Sequence, residues 1–309
     1  MSFERQERAL FALLFDEGLR ERFVAQGREA LASFELSDDE LADLTLIRPD
    51  ALMLDARLRR DLILQKLCRA LPLTFSLASS LAGGLDATRR LIDLDYVHAS
   101  PLERVTRFGR RLERELSALA FSSDSEKAAC LAIIDAELSL NAITSARRAD
   151  PTPERERPDP SFAAKWDQIP LALAPHVCAV LMPLSHTALM RALCPCPLDE
   201  LWARLEHAPL PASRRRDTLV QRDPRLLVAR AFVTHRSRCE ANVDRRIFEL
   251  SEGFAPMFRY LDGSMSVRQM LAHLRRAGAP DAMLGSVRSG FSQLVQHGAL
   301  VPATTGARH

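Results

Sequence analysis

No glycine-rich phosphate loop, no Gly-x-Ser-x-Gly elbow and no His-Glu-x-x-His helix occurs in these 309 residues. The best-marked routes to phosphate binding, serine hydrolysis and zinc proteolysis therefore have no support in the sequence. Lysine is almost missing, with Lys66, Lys127 and Lys165 alone beside many arginines; a GC-rich coding bias accounts for that without any function. An excess of either charge is also lacking. Forty-two basic against forty acidic side chains leave a net charge of +2, which provides no global attraction to DNA or to acidic membranes. An anionic partner would have to be met locally.

The first eight residues, Met1 to Arg8, place charges where a secretion signal needs an apolar core, and no later stretch reads as a charge-free membrane span. The expectation is a cytoplasmic chain with no membrane partner. Cys68, Cys130, Cys178, Cys194, Cys196 and Cys239 are scattered, and in that compartment free thiols are expected rather than a disulfide framework.

What is present is a globular composition, 47% hydrophobic and 27% charged, on a chain long enough for two domains and a possible small third. From Phe3 to about Arg147 glycine is scarce and apolar residues recur at helical spacing, as in Leu10, Leu13 and Leu14. An all-helical domain over 1–147 is predicted. Ser37 with Glu40, Ser100 with Glu103 and Ser123 with Glu126 carry the capping-box pattern that satisfies free N–H groups at a helix start. After Ser100 an apolar stripe of Leu102, Val105, Leu112, Leu116 and Leu119 separates from Arg104, Arg107, Arg111 and Arg114, read as a solvated face with Glu–Arg pairs.

Pro151, Pro153, Pro158 and Pro160 among charged residues mark 148–161 as a linker. Residues 162–223 mix short helical signals with seven prolines from Pro170 to Pro211 and read as an irregular connecting region. Beyond them, Leu226 to Val233, Cys239 to Val243 and Arg246 to Leu250 read as three short strands. A helix around Ser251 to Leu261 follows, then a turn at Asp262-Gly263. A second helix is opened by Ser266 with Gln269, and a third runs from Asp281 to His297, stopped by Gly298. The fold class expected is α+β, mostly α, with a winged-helix-like module of three strands and three helices over 224–303.

Two constellations invite a chemical reading. Cys194-Pro195-Cys196, with Cys178, His186 and His207 near in sequence, invites a metal, but one intervening residue strains two thiolates on a single ion; no metal site is expected. Asp93 and Asp95 beside His98 read as a helix-end cluster rather than an acid–base pair, so no catalytic residue is expected. Arg214 to Arg216 and His235 to Arg238 flank the β-rich segment as basic wings would in a DNA reader. A winged-helix transcription regulator is therefore the alternative, with near-zero net charge and only Arg268, Arg275 and Arg276 on the second module helix against it.

The order of strands and helices, with Phe248-Glu249-Leu250-Ser251, Tyr260-Leu261-Asp262-Gly263 and His297-Gly298-Ala299-Leu300-Val301, resembles the recognition elements of ribosomally made peptide natural product pathways. Their type member is the small chaperone of pyrroloquinoline quinone biosynthesis. The resemblance implies an extended leader peptide added as a strand along Arg245, Arg246, Ile247, Phe248, Glu249 and Leu250. The last helix would face it with Arg288, Phe291 and Val295, the arginines meeting acidic leader residues. An apolar stripe at helical spacing is equally what a core face looks like, so Phe291 has a second reading as core. In the N-terminal half, Glu7 to Phe15 and Leu67 to Thr74 look like partner proteins of multinuclear non-heme iron oxidative enzymes of the methanobactin and 3-thiaglutamate pathways. That resemblance implies a non-catalytic heterodimer subunit that holds the precursor peptide. The chain itself would carry no cofactor, and the iron would reside in the enzyme, which oxidises a cysteine.

Overall fold

A computed structural model of the chain describes residues 3–152, 159–221, 223–236 and 241–303. The helices of the first 121 residues are α1 (Phe3–Phe15), α2 (Glu17–Gln26), α3 (Asp38–Thr45), α4 (Pro49–Ala70), α5 (Pro72–Ser79), α6 (Gly84–Arg90), α7 (Leu94–His98) and α8 (Arg104–Ser117). Then come α9 (Asp124–Ala149), α10 (Pro160–Lys165), β1 (Pro170–Leu173), β2 (Val177–Met182), α11 (His186–Leu193), α12 (Leu198–His207) and α13 (Ala212–Val220). The chain ends with β3 (Arg225–Arg236), β4 (Ala241–Ser251), α14 (Ala255–Phe258), β5 (Asp262–Ser266), α15 (Val267–Arg276), α16 (Asp281–Gln296) and β6 (Leu300–Pro302). The protein is α+β and mostly α.

Two compact units form, Met1–Phe121 with Leu193–Arg215, and Ser122–Ala192 with Arg216–His309. The first is helical. Its α5 is buried at every position, and Phe75 on it meets Phe108 at 5.8 Å and Trp202 at 5.7 Å between ring centres. Arg20, buried, closes the end of α1 by donating to the carbonyls of Leu13 and Leu14, both at 3.1 Å. Cations suit a helix C-terminus because its last carbonyls lack partners and carry the negative end of the dipole.

The second unit is layered. The sheet β2-β3-β4 is antiparallel, with Val228 opposite Phe248 and Leu226 opposite Leu250. Alternation sends those four side chains into one core with Phe254, Val287, Phe291 and Leu294, while α9 packs against all three strands. A second small sheet, β5-β1-β6, is also antiparallel, and its Leu171 and Leu300 join the same core. By length and composition α9 could cross a membrane, yet 56% of its apolar stretch is buried, and Glu137 sits within it, 3% exposed.

The helix starts at Ser37, Ser123 and Ser266 are capped by those serines, the first and last as full capping boxes. Ser100 is a correction: α8 begins only at Arg104, and Ser100 supplies its carbonyl, not its hydroxyl, to Glu103 and Arg104. The segment 162–223 is not irregular either. Pro170 opens β1, Pro183 follows β2, Pro197 caps α12 and Pro211 precedes α13, so the prolines punctuate elements at ends where a missing N–H costs little.

The expected three successive strands are two long ones. β4 runs unbroken from Ala241 to Ser251, through polar residues that look like a break but occupy a half-solvated strand. The third strand of that sheet is β2, from the segment read as irregular; Cys239 lies outside the described residues. The Asp262-Gly263 turn is instead the start of β5, and the helix expected over Ser251 to Leu261 shrinks to a single 3-10 turn and α14. Residues 148–161 are described only in part.

Candidate functional site

β4 closes its sheet on one side, so one of its backbone edges meets no strand among the described residues. Which residues present that edge follows from the ladder. The Ala231 amide donates to the His176 carbonyl at 3.0 Å, so Ala231 faces β2. Its cross-strand partner Arg245 must then direct its backbone groups away from β3. The Arg245 amide indeed donates to the Asp244 carboxylate at 2.7 Å. By alternation Ile247 and Glu249 also face outward, and Arg246, Phe248 and Leu250 bond to β3.

The six strand residues predicted for the site thus divide three ways. Arg245, Ile247 and Glu249 turn their backbone to the edge that pairs with no strand, the Arg245 amide there being held by Asp244. Phe248 and Leu250, 8% and 7% exposed, put their side chains in the core. Arg246 extends over the Phe232 ring at 5.7 Å and donates to Nδ1 of His297 at 2.8 Å. Glu249 accepts from the Thr187 amide and hydroxyl at 3.1 and 3.2 Å. Burial works to raise its carboxyl, but the bonds from Ser185 and Thr187 outweigh that and hold it below the usual range.

The helix residues do not join them. Phe291 and Val295 are 0% and 1% exposed and pack as core, so neither can touch a guest; the apolar stripe was a core face. Arg288 turns to Asp167, donating at 3.0 Å, and Arg268 stands 3.7 Å from the same buried carboxylate. Arg288 borders an open cleft of ≈630 Å3 along the polar face of α16, lined by Trp166, Gly285, Ser289, Ser292, Gln293 and Gln296.

Two residues that sequence reasoning did not assign to the site hold arginines predicted for it, His297 meeting Arg246 and Asp167 meeting Arg288. His297 receives Arg246 on its ring and Arg230 on its carbonyl, the latter at 2.7 Å, and its ring meets Phe248 at 5.3 Å. Burial, then Arg246, pushes its pKa down. Asp167 gathers two arginines far from it in sequence. The signal for His297 was its place before the glycine stop; Asp167 had none.

Among the described residues no group of three or more His, Cys, Asp or Glu side chains is gathered as metal ligands. Cys194 lies 3.7 Å from the Ser76 hydroxyl, and His207 Nδ1 lies 2.7 Å from the Ala203 carbonyl. In the other unit, burial pushes the Cys178 thiol up to about 11 and lowers His186. Asp93 caps α7 through the Tyr96 amide and receives Arg111, the helix-end role expected of it.

No family model, no curated protein and no solved structure matches the chain.

Proposed function

We propose that this chain is a non-catalytic, cytoplasmic partner subunit that binds the leader of a ribosomally made precursor peptide and presents it to a separate iron-dependent enzyme acting on cysteine. The observation that carries the reading is the free edge of β4, with the Arg245, Ile247 and Glu249 backbone turned outward. An extended peptide can satisfy such groups by strand addition, gaining affinity from main-chain bonds. Holding a leader at a distance from the reacting residue raises that residue's effective concentration at the enzyme. The β5-β1-β6 sheet beside α15 and α16 supports a winged-helix-like reading of this part of the second unit. The DNA-reading alternative would use α15, but Arg268 and Arg275 there are engaged by Asp167 and Asp281.

The test is titration of a labelled leader peptide, from a short cysteine-containing precursor encoded beside this gene, onto the full chain. Saturable binding that Ile247→Pro weakens at least tenfold is expected. Binding unchanged in a folded Ile247→Pro variant would overturn the docking edge, and failure to co-purify with the neighbouring iron enzyme would overturn the partnership.

A further inference from the structure

The helical unit carries an apolar stripe that the leader-binding reading does not use. Leu54, Leu58 and Leu62 on α4 are 58%, 52% and 58% exposed, whereas Leu52, Ala56, Leu64 and Leu67 of the same helix are buried. Steps of four residues keep the three leucines on one narrow face. The stripe is flanked on one side by Asp55 and Arg59, paired at 3.0 Å, and on the other by Arg57 and Asp61, paired at 3.8 Å.

We infer that α4 is the seam of an antiparallel homodimer whose two-fold axis passes at Leu58. The charge pattern selects a second copy as the occupant. A two-fold axis at Leu58 sets Leu58 against itself and Leu54 against Leu62 of the second copy, and it brings each flank against the same flank of the other chain. On one flank Asp55 meets Arg59 of the second copy and Arg59 meets Asp55 of the second copy. On the other flank Arg57 meets Asp61 of the second copy, and the reverse. The ideal axes for the two flanks fall one residue to either side of Leu58, leaving an axial offset of about 3 Å for each ion pair, within the reach of an arginine. A parallel two-fold would pair Asp55 with Arg57 and Arg59 with Asp61 of the second copy at the same offset, but it would align the two helix dipoles, which the antiparallel seam opposes. Exposed pairs within one helix contribute little, so exchanging them across the seam costs little, while the leucines gain burial.

The seam stands on α4 alone and does not depend on leader binding. Light scattering coupled to size exclusion on the full chain, over a dilution series, tests it. The wild type is expected to dimerise, and Leu58→Glu, which sets two carboxylates at the axis, to weaken the dimer roughly a hundredfold or more with unchanged circular dichroism. Asp55→Arg and Arg59→Asp should each weaken self-association, and an equal mixture of those two variants should recover a dimer, since one chain then offers arginine wherever the other offers aspartate. That rescue is not expected from a purely structural role. A wild type that stays monomeric at every concentration overturns the inference, as does a dimer indifferent to all three substitutions. A wild type monomeric alone, whose enzyme complex is broken by Leu58→Glu, assigns the stripe to the enzyme and equally overturns the second-copy seam.

Discussion

Arg230 reaches from β3 to the carbonyl of His297 at 2.7 Å, and Gly298 leaves the room it needs. Gly298 holds φ at +66°, and a Cβ there would stand 2.4 Å from the Arg230 guanidinium. The glycine therefore serves two purposes, a left-handed stop for α16 and a passage for a buried arginine that satisfies one of the helix's last carbonyls. Gly298→Ala is expected to cost about 1–2 kcal/mol from backbone conformation alone, with a further loss as Arg230 is displaced. Chemical denaturation checks this; a melt within error of wild type would contradict it.

The ladder direction decides where a proline probes the docking edge. Phe248 looks like the obvious position, but its amide bonds to β3 and its side chain is core, so Phe248→Pro should destabilise the unit by roughly 3 kcal/mol or more. Ile247→Pro removes an outward amide and leaves the β3 ladder intact, so stability should change little while leader affinity falls. Thermal melts beside binding titrations separate the two; equal loss of stability in both variants would mean that the strand direction is misassigned.

Legibility in the sequence followed how local the cause was. Ser266 with Gln269 and Gly298 are short-range devices, and each marked its boundary correctly. The apolar stripe of α16 was visible as periodicity, which cannot say whether Phe291 and Val295 face a core or a guest. β2 was hidden because prolines at element ends look the same as prolines in a loop. α9 reads as the last helix of a helical half, yet it packs on the sheet, since which unit a helix joins is set by long-range contacts that periodicity does not encode. The Asp167 pairing joins residues 121 apart in sequence and left no local trace.

Asp167 holds two guanidiniums with one carboxylate that is only 8% exposed. Replacing it by Asn keeps the shape but leaves Arg268 and Arg288 facing each other without an anion. A double-mutant cycle of Asp167→Asn with Arg288→Gln is expected to give a coupling of about 1–3 kcal/mol. If the two substitutions are simply additive, the pair holds nothing together.

His297 makes the second unit sensitive to acid, and the sign follows from its lowered pKa, caused by burial first and then by Arg246. Above the ordinary histidine value of about 6.5 the ring is neutral in both folded and unfolded chains and contributes no pH dependence. Below it the unfolded chain takes up the proton first, so the folded state loses stability as pH falls, until the depressed folded value is passed. Protonation also removes the Nδ1 lone pair that accepts from Arg246 and places two cations together. His186 is lowered too, again by burial, and would add a loss of the same sign. The informative quantity is therefore the difference between wild type and His297→Asn, followed by denaturation from pH 7.5 to 5, a window of about one histidine range. The wild type should lose more stability on acidification than the variant. Parallel curves would show that the Arg246 contact does not discriminate between the two protonation states of His297.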